Sequence, residues 1–383
     1  MNTKKIDNNR NNQNEVTAQR NHIIDFARIV FYMFIVVAHT RYIAQSTEPP
    51  KTFLPTAALG VEFFFIVTGY LMAAKAFKTE CDATNIGTKT IKFVIKKFSS
   101  IFSMYLFTYA ICFVLKNIGK PIKEIANLLL LTLVSFFQLD IFGFDGYQVI
   151  HVTWFLGAMF ASILLLYPVL LKNKNLFCNL ISLILALFIY GWIAKEYGCL
   201  PHIYKWRGIV YVGLLRGLAG ISLGCFCYVV SKKLKSFNLR RSVRIVISII
   251  EILGYVYAWI SMGIRAESKF DFITVAFIAV SITLSFSEQG LLTQITNALI
   301  NRNQLCRRGL IGKISMALFF ADVPSRMITT LVLPNSNWNM RFPFDMIVLV
   351  CLSIVLIAIA TVAPKIKRRI HIIVRSGGTN ESS

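Results

Sequence analysis

Three ionisable residues on one apolar stretch are the first candidates for chemistry in this sequence. The stretch is IIDFARIVFYMFIVVAHT, residues 23–40, and it carries Asp25, Arg28 and His39. It is long and apolar enough to cross a bilayer. At about 100° per residue, Asp25, Arg28, Tyr32, Ile35 and His39 project at roughly 60°, 0°, 40°, −20° and 20°. The polar groups therefore share one stripe, and ionisable residues inside a span face a protein interior or an aqueous cavity. Arg28 precedes His39 by about 16 Å of helix axis. A guanidinium fork suits phosphate, and an imidazole suits proton transfer near neutral pH. The stripe thus predicts a ligand with an anionic head at one end and its reactive group at the other. For Arg28 alone, the plainer alternative is an interfacial side chain paired with Asp25.

Glu62, in the segment GVEFFFIVTGYL, lies about five residues, or roughly 7–8 Å, into the next apolar run. It comes to a depth similar to that of His39, and a short connection makes the two helices neighbours. A His39–Glu62 pair is expected, with the carboxylate orienting the imidazole and raising its basicity for removal of a hydroxyl proton. The alternative is a structural hydrogen bond between two helices. The basic segment KTIKFVIKKFSS, residues 89–100, brings Lys97 to the Arg28 end, and it reads equally well as a topology signal. Arg216 sits among glycines in LLRGLAGISLG, where close helix packing is possible. It is a third candidate cation for the cavity, or one half of an internal ion pair. Asp140, Asp145, His151 and Trp154 border the opposite end, where carboxylates and an aromatic ring suit a sugar. His202 and Trp206 are weaker candidates for the same role.

The elements that must hold these residues are membrane helices. The chain has 383 residues, 56% of them hydrophobic, with a mean hydropathy of +0.61, outside the soluble globular range. Ten spans are predicted, at about 23–43, 57–74, 98–115, 151–171, 176–194, 208–230, 245–263, 272–286, 314–333 and 344–364. A polar tail over 1–22 is expected to be disordered, and a basic cytoplasmic tail follows over 365–383, flanking one membrane domain over 23–364. The run 125–142 is apolar but is placed as a re-entrant or interfacial helix, because a full crossing would put two basic loops on opposite sides. With that choice 27 of the 41 Lys and Arg fall on one side and 11 on the other. The excess puts both termini in the cytoplasm. The net charge of +23 is spread over these short loops, so no nucleic-acid partner is expected. The eight cysteines lie mostly in spans and basic loops, which predicts neither a disulfide framework nor a metal site. No strand alternation suggests a barrel, and no internal repeat suggests an inverted-repeat transporter.

With these features in order, the sequence resembles the acyltransferase 3 family, the membrane O-acyltransferases of bacterial cell-surface polysaccharides. IIDFARIV with His39 is similar to the family's L-D-x-L-R-x-x-A and His. GVEFFFIVTGYLMA is similar to G-V-D-x-F-F-x-x-S-G-F-L, and TWFLGAMFASILLLYP to the W-F-L form of the fourth-span motif. GKISMALFFADVP, residues 312–324, resembles G-x-x-S-Y-x-x-Y-L-x-H-x-P. The sequence departs from the pattern at Lys97 and Ser100 for R-x-x-R, at Ser103 for Pro, at Met159 for Glu, and at Asp322 for a late His. The resemblance implies an all-α protein of about ten spans in the bacterial inner membrane. It implies acyl-CoA, with acetyl-CoA first, as a donor substrate rather than a resident cofactor, and a surface glycan or its lipid-linked precursor as acceptor. His39 and Glu62 are then the catalytic pair. Asp25, Arg28, Tyr32, Lys97 and Arg216 form the CoA side, and Asp145, His151 and Trp154 the acceptor side. Direct transfer and a transient acyl-histidine are both compatible with these residues. Polysaccharide-assembly proteins are possible partners. Two rival expectations are a flippase for an anionic or glycan substrate and a non-catalytic member of a polysaccharide-export complex.

Overall fold

A computed structural model describes residues 21–40, 54–144, 146–200, 206–208, 210–301, 310–334 and 336–377. The polar tail over 1–20, Asp145, His202 and the last six residues lie outside them. Helices account for nearly all of it, in the order α1 His22–His39, α2 Gly60–Phe77, α3 Ile86–Lys116, α4 Ile122–Phe136, α5 Trp154–Lys172 and α6 Ser182–Tyr197. There follow α7 Val212–Lys235, α8 Arg241–Ile264, α9 Phe270–Ser287, α10 Leu291–Asn301, α11 Leu310–Val332 and α12 Trp338–Gly377. A two-residue antiparallel pair, β1 Trp206–Arg207 and β2 Val210–Tyr211, precedes α7. Among the described residues nine helices are long and apolar enough to cross a membrane. The remaining predicted span, 314–333 within α11, has the length but carries Asp322 and Arg326. It tolerates them because it is packed against α1, α3 and α12, where such groups find partners instead of lipid.

The ambiguous apolar run forms a short helix that doubles back along α3. Helix α4 starts just after α3 ends and runs back beside it, with Tyr109 Oη donating to the Thr132 carbonyl at 3.4 Å and Tyr105 Oη to the Phe136 carbonyl at 2.7 Å. The chain turns at Gln138, which has a left-handed φ of 59°, and climbs back. Lys116 Nζ reaches the Gln148 carbonyl at 2.5 Å, and Tyr147 Oη reaches Asn117 Oδ1 at 3.2 Å. The segment therefore begins and ends at the same end of α3. Its fifteen residues span only about 22 Å, short of a typical hydrocarbon core.

Two contacts fix the helices that matter most below. Helices α2 and α7 touch backbone to backbone: a Cβ on Gly69 would lie 1.9 Å from the Ile221 carbonyl oxygen, and one on Gly224 would lie 2.0 Å from that of Ile66. Only glycine permits this approach. In α11, Pro324 lacks the N–H that would bond the Phe320 carbonyl four residues earlier. Thr108 Oγ1 of α3 donates to that carbonyl instead, at 3.2 Å. The seven described cysteines are all free thiols.

Candidate active site

Five helices close a ring, α1–α2–α5–α3–α11 and back to α1, each in contact with the next. Inside the ring runs one cavity of about 830 Å³, in the size range of small-molecule sites. Arg28, Tyr32, Ile35, Ala38 and His39 of α1 all line it. They recur at steps of three and four residues, so the helical period itself delivers them to one side. The same spacing brings Val61, Phe64, Thr68 and Leu71 from α2, and Ser315, Met316, Phe319 and Val323 from α11. The walls are mostly apolar, and the polar groups gather near the two ends.

At one end stand Arg28, Lys97 and Ser100. Arg28 Nη1 bonds Asp25 Oδ1 at 3.0 Å, and Asp25 itself is buried behind the wall. Lys97 is near enough to Arg28 for the two cations to repel, an arrangement that an anion would relieve.

At the other end His39 Nδ1 lies 2.7 Å from Asp322 Oδ2 of α11. Asp322 is fully buried and is gripped by Arg326, Nε to Oδ1 and Nη2 to Oδ2, each at 3.2 Å. The result is an imidazole–carboxylate–guanidinium row, of which His39 and Arg326 line the cavity. His151 and Trp154 line the same end. The Nδ1 of His151 is 3.0 Å from Gln148 Oε1.

The expected His39–Glu62 pair is not formed. Glu62 points away from the cavity, between α2 and α7. There it accepts from Arg216 Nε at 2.7 Å and from Tyr190 Oη at 2.5 Å. Both Glu62 and Arg216 are completely buried, and Arg216 Nη2 also donates to the Ala58 carbonyl at 3.2 Å. Neither lines the cavity among the described residues. Equal depth had suggested contact, but depth does not set azimuth. Val61 and Phe64 occupy the cavity face of α2, which turns Glu62 outward toward the buried Arg216 guanidinium. The assignment of Glu62 as the imidazole's partner, and of Arg216 as a cofactor clamp, is therefore corrected. Arg216 still reaches the site indirectly, since its guanidinium carbon is 5.5 Å from the centroid of the Trp154 ring.

The true partner of His39, and Arg326 beside it, were missed in the sequence. A signal existed: an Asp and an Arg four apart within a predicted span, a spacing that makes an ion pair on one helix face. Asp145 and His202 lie outside the described residues. Trp206 packs over Gly143 and Tyr211 and is not part of the cavity wall described here.

No curated protein and no solved structure matches the chain. The model of the acyltransferase 3 family, described as an acyltransferase domain, matches residues 21–363, from the residue before α1 to the far part of α12. All five ring helices and every cavity residue named above fall within that match, and the chain belongs to the acyltransferase 3 family of membrane acyltransferases.

Proposed function

We propose that this protein transfers an acyl group, acetyl in the first instance, from cytoplasmic acyl-CoA to a sugar hydroxyl of a bacterial cell-surface polysaccharide or its lipid-linked precursor. The observation that carries the reading is the single cavity that holds two cations at one end and the His39–Asp322 pair at the other. The Arg28 end faces the cytoplasm in this reading, in accord with the excess of Lys and Arg in the loops on that side. Arg28 and Lys97 hold the phosphates of CoA. The pantetheine arm then lies along the α1 stripe, whose length of about 16 Å suits an extended arm, and it delivers the thioester to His39.

Asp322 accepts the proton on Nδ1 of His39, which fixes the tautomer, and Nε2 is the nitrogen that exchanges a proton with substrate. Nε2 takes the acceptor's hydroxyl proton as its oxygen attacks the thioester carbon, and returns it to the departing thiolate. Arg326 keeps Asp322 ionised and in place. The sugar is received at the His151 and Trp154 end, where an aromatic face can stack on it. Because the ring of helices closes the sides of the cavity, donor and acceptor meet from opposite mouths.

The test uses the full chain in detergent or nanodiscs. Wild type should release free thiol from acetyl-CoA, and cells that carry it should show an O-acetyl signal in glycan NMR. His39→Ala should abolish both. Unchanged O-acetylation in His39→Ala rejects the assignment, and a protein that moves glycan without releasing thiol is the flippase instead.

A further inference from the structure

Acyl transfer places negative charge on the thioester oxygen as the tetrahedral intermediate forms, and a hydrogen-bond donor already aimed at that oxygen would stabilise it. The hydrogen bonds described for the Arg326 side chain run from Nε and Nη2 to Asp322. Within the helices of the walls, backbone N–H groups bond carbonyls four residues earlier. One cavity residue differs. Tyr32, on the α1 stripe between Arg28 and His39, lines the cavity and is 3% exposed. Its hydroxyl is the one buried side-chain polar atom without a hydrogen-bond partner on the described cavity wall.

A buried hydroxyl left unpaired is costly and calls for a reason. The packing around it is not loose. The Tyr32 ring meets Phe64 and Phe319 edge to face, at 6.1 and 5.7 Å between centroids. Both of those rings also line the cavity. The hydroxyl is within electrostatic reach of Asp322 and Arg326, which places it on the approach to His39 rather than at the cationic mouth. A phenylalanine would fill the same space without stranding a polar atom, so packing alone does not explain a tyrosine here.

We propose that Tyr32 is a catalytic residue whose hydroxyl donates a hydrogen bond to the carbonyl oxygen of the acyl donor. The proposal rests on the acyl-transfer reading above. The acceptor oxygen bonds to the carbonyl carbon while its proton passes to His39 Nε2. The carbonyl π pair moves onto oxygen, where the Tyr32 hydroxyl receives it as a hydrogen-bonded oxyanion. That pair then re-forms the C=O bond, the C–S bond breaks, and the thiolate takes the proton from His39. The products are the ester and free CoA, and Tyr32 keeps its own proton throughout. A preformed donor of this kind in a water-poor site acts on the transition state more than on the ground state.

The experiment compares wild type, Tyr32→Phe and His39→Ala as purified full chains in nanodiscs. Thiol release from acetyl-CoA with water as acceptor gives kcat, and calorimetric titration with free CoA gives Kd. The expected result is a fall in kcat of about a hundredfold in Tyr32→Phe, with Kd for CoA unchanged. Active wild type with Tyr32→Phe within threefold of it overturns the role of Tyr32 alone, as does a loss of kcat matched by an equal loss of CoA affinity. Wild type no faster than His39→Ala overturns the acyl-transfer reading and this role with it. Should Tyr32→Phe not fold, 3-fluorotyrosine at position 32 replaces it. Its more acidic hydroxyl shifts kcat at constant Kd under the proposal, and an unchanged kcat overturns it.

Discussion

Two carboxylates at comparable depth, Glu62 and Asp322, have opposite tasks, and substitution separates them. Asp322→Asn keeps the shape beside His39 but removes the charge that orients it. Activity should fall by roughly 10²- to 10⁴-fold, as for loss of general-base function, while the protein stays folded; thiol release and size-exclusion profile measure the two. Glu62→Gln should do the reverse. It strands the fully buried Arg216 guanidinium, a loss of about 3–5 kcal/mol when one member of a buried pair is removed, so the defect appears in thermal midpoint and yield. Replacing both members, Glu62→Leu with Arg216→Met, should recover much of that stability, since a well-packed apolar pair substitutes for a buried ion pair at little cost. If Glu62→Gln lowered kcat at wild-type stability, Glu62 would have to act on the substrate after all.

At the level of helices, the site depends on α2 and α11 being held at fixed positions around the cavity. Helix α2 is set by its glycine contact with α7. Gly224→Ala would drive a Cβ to 2.0 Å from the Ile66 carbonyl oxygen, and overpacking of this kind costs about 1–3 kcal/mol or more. The expected outcome is a lowered melting temperature together with weakened activity, because α2 carries Val61, Phe64 and Thr68 into the cavity. Helix α11 bends its hydrogen-bond ladder at Pro324, and Thr108 repairs the gap. Thr108→Val removes that donor at similar volume and should cost about 1 kcal/mol, the usual net worth of a hydrogen bond, read as a drop in thermal midpoint. Arg341 closes the α11–α12 turn through the Leu333 and Pro334 carbonyls.

Seen as a whole, the described bundle is a ring of five helices around the cavity, backed by the others. Thr68 lines the cavity and its Oγ1 bonds Met159 Sδ at 3.7 Å. Thr68→Trp should plug the cavity and abolish acyl transfer in a protein that still folds, as thiol release and size-exclusion profile would record. Transfer persisting at wild-type rate would mean that the donor reaches His39 by another route. Much of this was legible in the sequence because membrane helices obey strong local rules. Backbone polar groups must be satisfied within the segment, so length and apolarity mark most spans. A period of 3.6 fixes which side chains share a face, so the Arg28–His39 stripe and its cavity followed from α1 alone. The doubled-back α4 followed from length and loop charge. Azimuth between helices has no such local rule. Whether Glu62 faced His39 or Arg216 depended on which neighbour lay behind α2, and that was decided by Gly69 and Gly224 meeting backbone 152 and 158 residues away in sequence. The same holds for Asp322, carried to His39 across 283 residues. One helix writes its own faces, but only the packed bundle decides what each face meets.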